Sequence, residues 1–157
     1  MKITLIAIGK TDDAYLIEGI NKYLKRIKHY IKLDIVIIPD IKKTKSLSEE
    51  EQKSKEAELF LKQLQSQDVV VLLDEKGTEI SSTHFADFLN KKMIGSVQNL
   101  FFLIGGPYGF DASISQRANH KISLSRMTFS HQMVRLFFVE QIYRAYTILK
   151  GEPYHHE

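Results

Sequence analysis

Ile3-Thr4-Leu5-Ile6-Ala7-Ile8, closed by Gly9, is the stretch that decides the fold class. A short, nearly continuous apolar run of this kind fits a strand covered on both faces, as in a parallel sheet. Working outward, Asp12 or Asp13 is placed to cap a helix in which Leu16, Ile20, Tyr23, Leu24 and Ile27 recur at helical spacing to about Tyr30. Leu33–Ile38 reads as a second strand stopped by Pro39, and 42–47 as a polar loop. Ser48 and Glu51 have capping-box spacing at the head of a helix whose first turns look solvated. Val69–Leu73 predicts a third strand with a turn over Asp74–Gly77, and Ser82 the cap of a helix through Phe85, Leu89 and Met93. Asn99–Ile104 predicts a fourth strand, 111–118 a short helix, 121–124 a short fifth strand, and 131–150 a long helix ended at Gly151. This alternation predicts one α/β domain over residues 1–157, with a mostly parallel sheet and helices on both faces, because parallel neighbours need helical crossovers.

Composition agrees. At 157 residues, 43% hydrophobic and 26% charged, the chain is long enough for a core and too apolar for disorder or low complexity. It has no cysteine, which removes disulfides and thiolate zinc sites. No apolar run approaches the roughly 20 residues of a membrane span, and no cleavage signal follows Met1-Lys2, so a cytoplasmic protein is expected. Net charge is only +3, but 21–45 carries a local excess of +6 and 101–150 one of +4. Two basic stretches on one small chain lean toward RNA.

In open α/β sheets ligands bind beyond the carboxyl ends of the strands, which directs attention to loops 74–77, 105–109 and 125–130. Leu103-Ile104-Gly105-Gly106-Pro107-Tyr108-Gly109 runs a strand into three glycines, allowing backbone to wrap a ligand. Neither phosphate-cradling glycine motif is present, so a nucleoside ligand fits better than a phosphate. Leu124-Ser125-Arg126-Met127-Thr128-Phe129 could hold an adenine through backbone hydrogen bonds and apolar contact, with Ser130 or His131 capping the last helix. That helix is apolar nearly all round, so either a second subunit covers it or it lies centrally between surface helices of one protomer. His155-His156 lacks an identifiable third ligand, and no metal is expected; Tyr154 and His155 can instead stack on or hydrogen-bond a base. No Ser-His-Asp ordering or paired-carboxylate arrangement supports hydrolysis.

Lys2-Ile3-Thr4-Leu5, Leu72-Leu73-Asp74 with Lys76-Gly77, Phe102 to Gly109, Leu124 to Phe129, His131 to Arg135, Glu140 to Ala145 and Pro153-Tyr154-His155 together resemble the ribosomal RNA large subunit methyltransferase H family, end to end. The resemblance implies a SPOUT-class α/β fold with a C-terminal trefoil knot, a homodimer, and methylation of N3 of a pseudouridine in 23S rRNA from S-adenosylmethionine without metal. It places the donor against Leu73, Gly105, Gly106, Leu124, Ser125, Arg126, Met127, Thr128 and Phe129, and the target nucleotide against Arg144, Tyr154 and His155. Ser130 departs from the proline often found there. The expected partners are large-subunit rRNA or the assembled ribosome and a second copy of the chain, with no membrane or DNA.

The imide proton must be removed or its anion stabilised; Arg144 suits the second role, His155 or His131 the first. Arg144 could equally pair with Glu140 one turn earlier. Gly106 is expected at positive φ, where the backbone approaches the donor. Two other readings share these features: a non-catalytic RNA-binding module, and a nucleotide-dependent enzyme acting on a small molecule.

Overall fold

In a computed structural model describing residues 1–156, β1 (Lys2–Ile8), β2 (Leu33–Ile38), β3 (Val69–Glu79), β4 (Asn99–Ile104) and β5 (His120–Ser123) form one sheet in the order β2-β1-β4-β3-β5. Every neighbouring pair is parallel. The helices are α1 (Ala14–Ile27), α2 (Glu49–Leu61), α3 (Ser82–Ile94), α4 (Ala112–Arg117) and α5 (His131–Lys150).

The two-residue period of a strand sorts β1 onto two cores. Ile3, Leu5 and Ala7 join Val71, Leu100 and Phe102 beneath α1, α3 and α5. Ile6 and Ile8 join Val70, Leu72 and Leu103 beneath α2 and α4, with Phe60 and Ile114 as their apolar contributions. Burial on both faces is therefore complete at the centre of β1, as its unbroken apolar run required.

The all-round apolar character of α5 is largely accounted for inside one protomer. Phe138, Val139, Ile142 and Ala145 face the sheet with no exposure, and α1 and α3 pack along the helix on either side. Met133, Val134, Leu136 and Phe137 remain half-buried near its amino end.

Local expectations hold or shift by small steps. Ser48 accepts from the Glu51 amide and Glu51 returns the bond to Ser48, a complete capping box. Ser130 caps α5 through the Met133 amide, and Gly151 ends it in the left-handed conformation. At α3 the cap is Ser81 and not Ser82, whose hydroxyl instead donates to Gln141 across to α5. Asp13 stands at the cap of α1 without a side-chain bond, and α1 ends at Ile27 and not near Tyr30. The expected turn at 74–77 is a bulge: β3 pairs with β5 as far as Leu73↔Ile122, loops out, and rejoins it at Thr78↔Ile122 and Glu79↔Ser123. The first turns of α2 are not simply solvated, since Gln52 and Glu56 are buried.

From the β5 edge, residues 124–130 cross the carboxyl ends of β3 and β4 to reach the end of β1. There Gln132 donates to the Lys10 carbonyl, and the buried Arg135 donates to the carbonyls of Ile8 (2.6 Å) and Gly9 (2.8 Å). These are the outgoing carbonyls of β1, and with the Thr11 hydroxyl at 3.1 Å they hold a guanidinium that has no carboxylate mate.

Candidate functional site

Three loops meet over the carboxyl ends of β3 and β4 and enclose a cavity of about 740 Å³. Leu73, Ile104, Gly105, Gly106, Tyr108 and Gly109 line one side of it; Leu124, Ser125, Met127, Thr128 and Phe129 line the other. The residues expected to hold the donor are thus brought together, with one difference. The Arg126 side chain is 88% exposed, forms an ion pair with Glu79 and does not line the cavity.

The glycine loop is a closed turn. The Gly109 amide donates to the Gly106 carbonyl at 3.1 Å, with Pro107 and Tyr108 at its corners. Positive φ falls on Gly109 (+80°) and not on Gly106, correcting the expectation for that residue. Gly106 is constrained by close approach: a Cβ there would lie 2.7 Å from Glu56 Oε2 and nearer still to Oε1. Glu56 belongs to α2, and no motif pointed to it. A signal was present in the i, i+4, i+8 spacing of Gln52, Glu56 and Phe60, which puts two polar residues on the face that buries the phenylalanine.

Polar groups surround the cavity, of which Lys53 was not anticipated, whereas His131 and the 74–77 loop were. Asp74 and Glu75 come from the β3 bulge, Lys53 from α2, and His131 from the first turn of α5. Glu75 accepts from the Thr128 hydroxyl and ties two of the three loops together. Burial, with Arg135 nearby, pulls the His131 imidazole below the ordinary histidine range and favours its neutral form.

Arg144, Tyr154 and His155 are also brought together, but elsewhere. Arg144 Nη2 donates to Glu140 Oε1 at 2.6 Å, Arg144 Nη1 lies 3.1 Å from His155 Nδ1, and its guanidinium stacks 4.8 Å from the Tyr154 ring centroid. Tyr154 donates to Glu140 Oε1 at 3.0 Å and its hydroxyl lies 3.3 Å from that of Tyr23. The pairing with Glu140 raises the arginine further above neutrality. Burial and the bonds to Tyr23 and Glu140 hold the Tyr154 phenol in its protonated form. Arg144 is therefore both paired with Glu140 and grouped with Tyr154 and His155. With a rise of about 1.5 Å per residue, Arg144 lies about 20 Å along α5 from His131 and about 15 Å from Val134, the α5 residue nearest to it that lines the cavity.

Known proteins decide the family. The family described as predicted SPOUT methyltransferase matches residues 1–155. The chain belongs to the SPOUT methyltransferases. Among SPOUT relatives, a ribosomal RNA large subunit methyltransferase H of Parabacteroides distasonis is 59% identical over the full length of both chains. Its counterpart in Christiangramia forsetii is 58% identical over 99% of each. A solved SpoU methyltransferase, AviRb of Streptomyces viridochromogenes, is 12% identical, covers 91% of this chain and 57% of its own, and has a TM-score of 0.43.

Proposed function

We propose that this SPOUT enzyme transfers a methyl group from S-adenosylmethionine to large-subunit ribosomal RNA, at N3 of a pseudouridine. The observation that carries the reading is the 59% identity, over the full length of both chains, with a ribosomal RNA large subunit methyltransferase H, and the cavity formed by the strand-end loops supports it. The cavity suits the donor chemically. Backbone amides and carbonyls of 105–109 and 124–129 offer hydrogen bonds to an adenosine, and Leu73, Ile104, Leu124 and Met127 offer apolar contact, while Asp74 and Glu75 share the lining with Lys53, Lys76 and Lys121. When bound, S-adenosylmethionine supplies an activated methyl on a sulfonium, and no metal is needed. Among the described residues no cluster of three His, Asp or Glu could hold one.

The chain's own work is alignment and charge stabilisation. Arg144, held in one orientation by Glu140, is suited to stabilise negative charge on the imide nitrogen and the adjoining carbonyls, while Tyr154 and His155 offer planar surfaces for the flipped base. Lys22, Lys25 and Arg26 of α1 and Lys28 just after it are exposed, and Arg26 lies 5.4 Å from the Tyr143 ring centroid, beside the Arg144 cluster. A basic face bordering that cluster suits RNA phosphates.

Arg144 lies about 15 Å along α5 from Val134 at the cavity wall, a separation that supports a second copy of the chain completing the site. The half-buried Leu136 and Phe137 of α5, with the exposed Tyr15, Ile17 and Phe129, supply an apolar surface for such a homodimer. Threading of the C-terminal segment into the family's trefoil knot, a single domain over 1–157 and a cytoplasmic location alongside ribosomes belong to the same reading. No helix among the described residues is long and apolar enough to cross a membrane.

Mass spectrometry of nucleosides from large-subunit rRNA tests the reaction. Cells lacking this protein should carry unmethylated pseudouridine where the parent strain carries the N3-methyl form, and identical profiles would reject it. Light scattering should give twice the 18.2 kDa protomer mass.

A further inference from the structure

Glu56 is 3% exposed, and none of the ion pairs among the described residues includes it. The other buried acid, Asp68, is accounted for by the fold: it accepts from the Gln65 amide at 2.8 Å and from the Asn99 side chain at 3.0 Å, closing the turn before β3 and tying it to β4. Glu56 performs no such task. It accepts from the Gln52 side-chain amide at 3.2 Å, and its carboxyl lies against the Gly106 backbone, close enough for the amide there to favour the charged form. Burial raises its carboxyl above the ordinary range, which records the cost of keeping the group there. A buried carboxyl without a cation weakens a fold, and a neighbourhood that includes Ala57 and Phe60 would accept an apolar side chain readily.

That backbone amide belongs to the peptide between Gly105 and Gly106. A peptide flanked by two glycines has the least steric preference between its two flipped orientations. The Glu56 carboxyl packs so closely against Gly106 that one of its oxygens would lie 2.7 Å from a Cβ there, which limits the room in which this peptide can turn. Gly105 and Gly106 both line the cavity, so a peptide fixed on its α2 side presents a fixed backbone surface to a ligand. The missing Cβ of Gly106 completes the arrangement, because the carboxyl occupies the space it would need.

We infer that Glu56 is a positioning residue of the methyl-donor site, latching the Gly105–Gly106 peptide from beneath so that the loop is set to receive S-adenosylmethionine. The inference rests on the donor reading above.

The test compares wild type, Glu56→Met and Glu56→Gln by calorimetry with S-adenosylmethionine, by steady-state kinetics, and by thermal melting without donor. Glu56→Met should melt at or above the wild-type temperature. Its dissociation constant and KM for S-adenosylmethionine should rise about 10–100-fold, the loss of one hydrogen bond to a charged group, with KM for RNA unchanged. Glu56→Gln keeps an acceptor for the Gly106 amide and should stay near wild type. Unchanged donor affinity in Glu56→Met would overturn the inference, as would an equal loss in Glu56→Gln. A Glu56→Met protein melting well below wild type would also overturn it, because the carboxyl would then serve the fold. Failure of the wild-type protein itself to bind S-adenosylmethionine would remove the donor reading, and this inference with it.

Discussion

The two ends of α5 present opposite kinds of site. At its amino end the cavity is walled largely by main chain, from loops that end strands, with glycines where side chains would intrude. At its carboxyl end Arg144, Tyr154 and His155 form a side-chain network around Glu140 that already satisfies most of its own donors. The first is shaped to take up a ligand; the second is a charged, aromatic surface fixed in advance. On the proposed reading, the difference teaches that donor recognition depends on backbone geometry and acceptor recognition on side-chain chemistry, so the two should fail independently.

The largest effect should come from Gly106→Val. Its branched side chain would be driven into the Glu56 carboxyl, and binding of S-adenosylmethionine should fall below detection in calorimetry while RNA is still retained on a filter. Retained donor binding would mean that the loop can move off α2, and the contrast between a rigid backbone site and a side-chain site would weaken.

Arg144→Ala should lower methylation by about 10²-fold, as when one charge-stabilising donor is removed, with donor affinity unchanged. Mixing this variant with Gly106→Val under conditions that exchange protomers should restore part of the activity, because one site of the mixed dimer would have both halves intact. No recovery despite verified mixed dimers would place donor and acceptor groups in the same protomer.

A smaller effect isolates the amino end of α5. Ser130→Ala removes the cap of α5 and should lower stability in chemical denaturation by about 1 kcal/mol. The Arg144 network lies too far away to contribute to that loss.

The smallest effect concerns pH. Burial first, and Lys92 at 2.8 Å second, lower the His120 imidazole below its ordinary value near 6.5. Below that value the unfolded chain binds a proton that the folded chain refuses, so stability should fall as pH drops from 6.5 toward the folded pKa. His120→Gln should flatten this part of the curve relative to wild type. The site ends should not feel it, and a change in donor affinity would show that the β5 edge reaches the cavity.

Much of this architecture was legible from local pattern. Apolar runs located the five strands, capping residues located the starts of α2 and α5, and the topology rule directed attention to the loops that do line the cavity. The errors share a cause. Asp74-Glu75-Lys76-Gly77 has turn chemistry and was expected to leave the sheet, but the unpaired edge of β5 drew the chain back into the ladder. Gly106 was expected at positive φ because glycine permits it, whereas the deciding contact comes from a helix fifty residues earlier.

The sequence by itself determined the elements, their alternation, both basic stretches and the residue types available for chemistry, because each follows from periodicity, capping and charge within a few residues. Only the tertiary structure decided that Glu56 lies under Gly106, that Arg135 holds the outgoing carbonyls of β1, and that Arg144 stands at the far end of α5 from the donor cavity. Those facts depend on which strands become neighbours and on how a crossing segment is laid over their ends. Such distances are set by packing, and no local spacing in the chain encodes them.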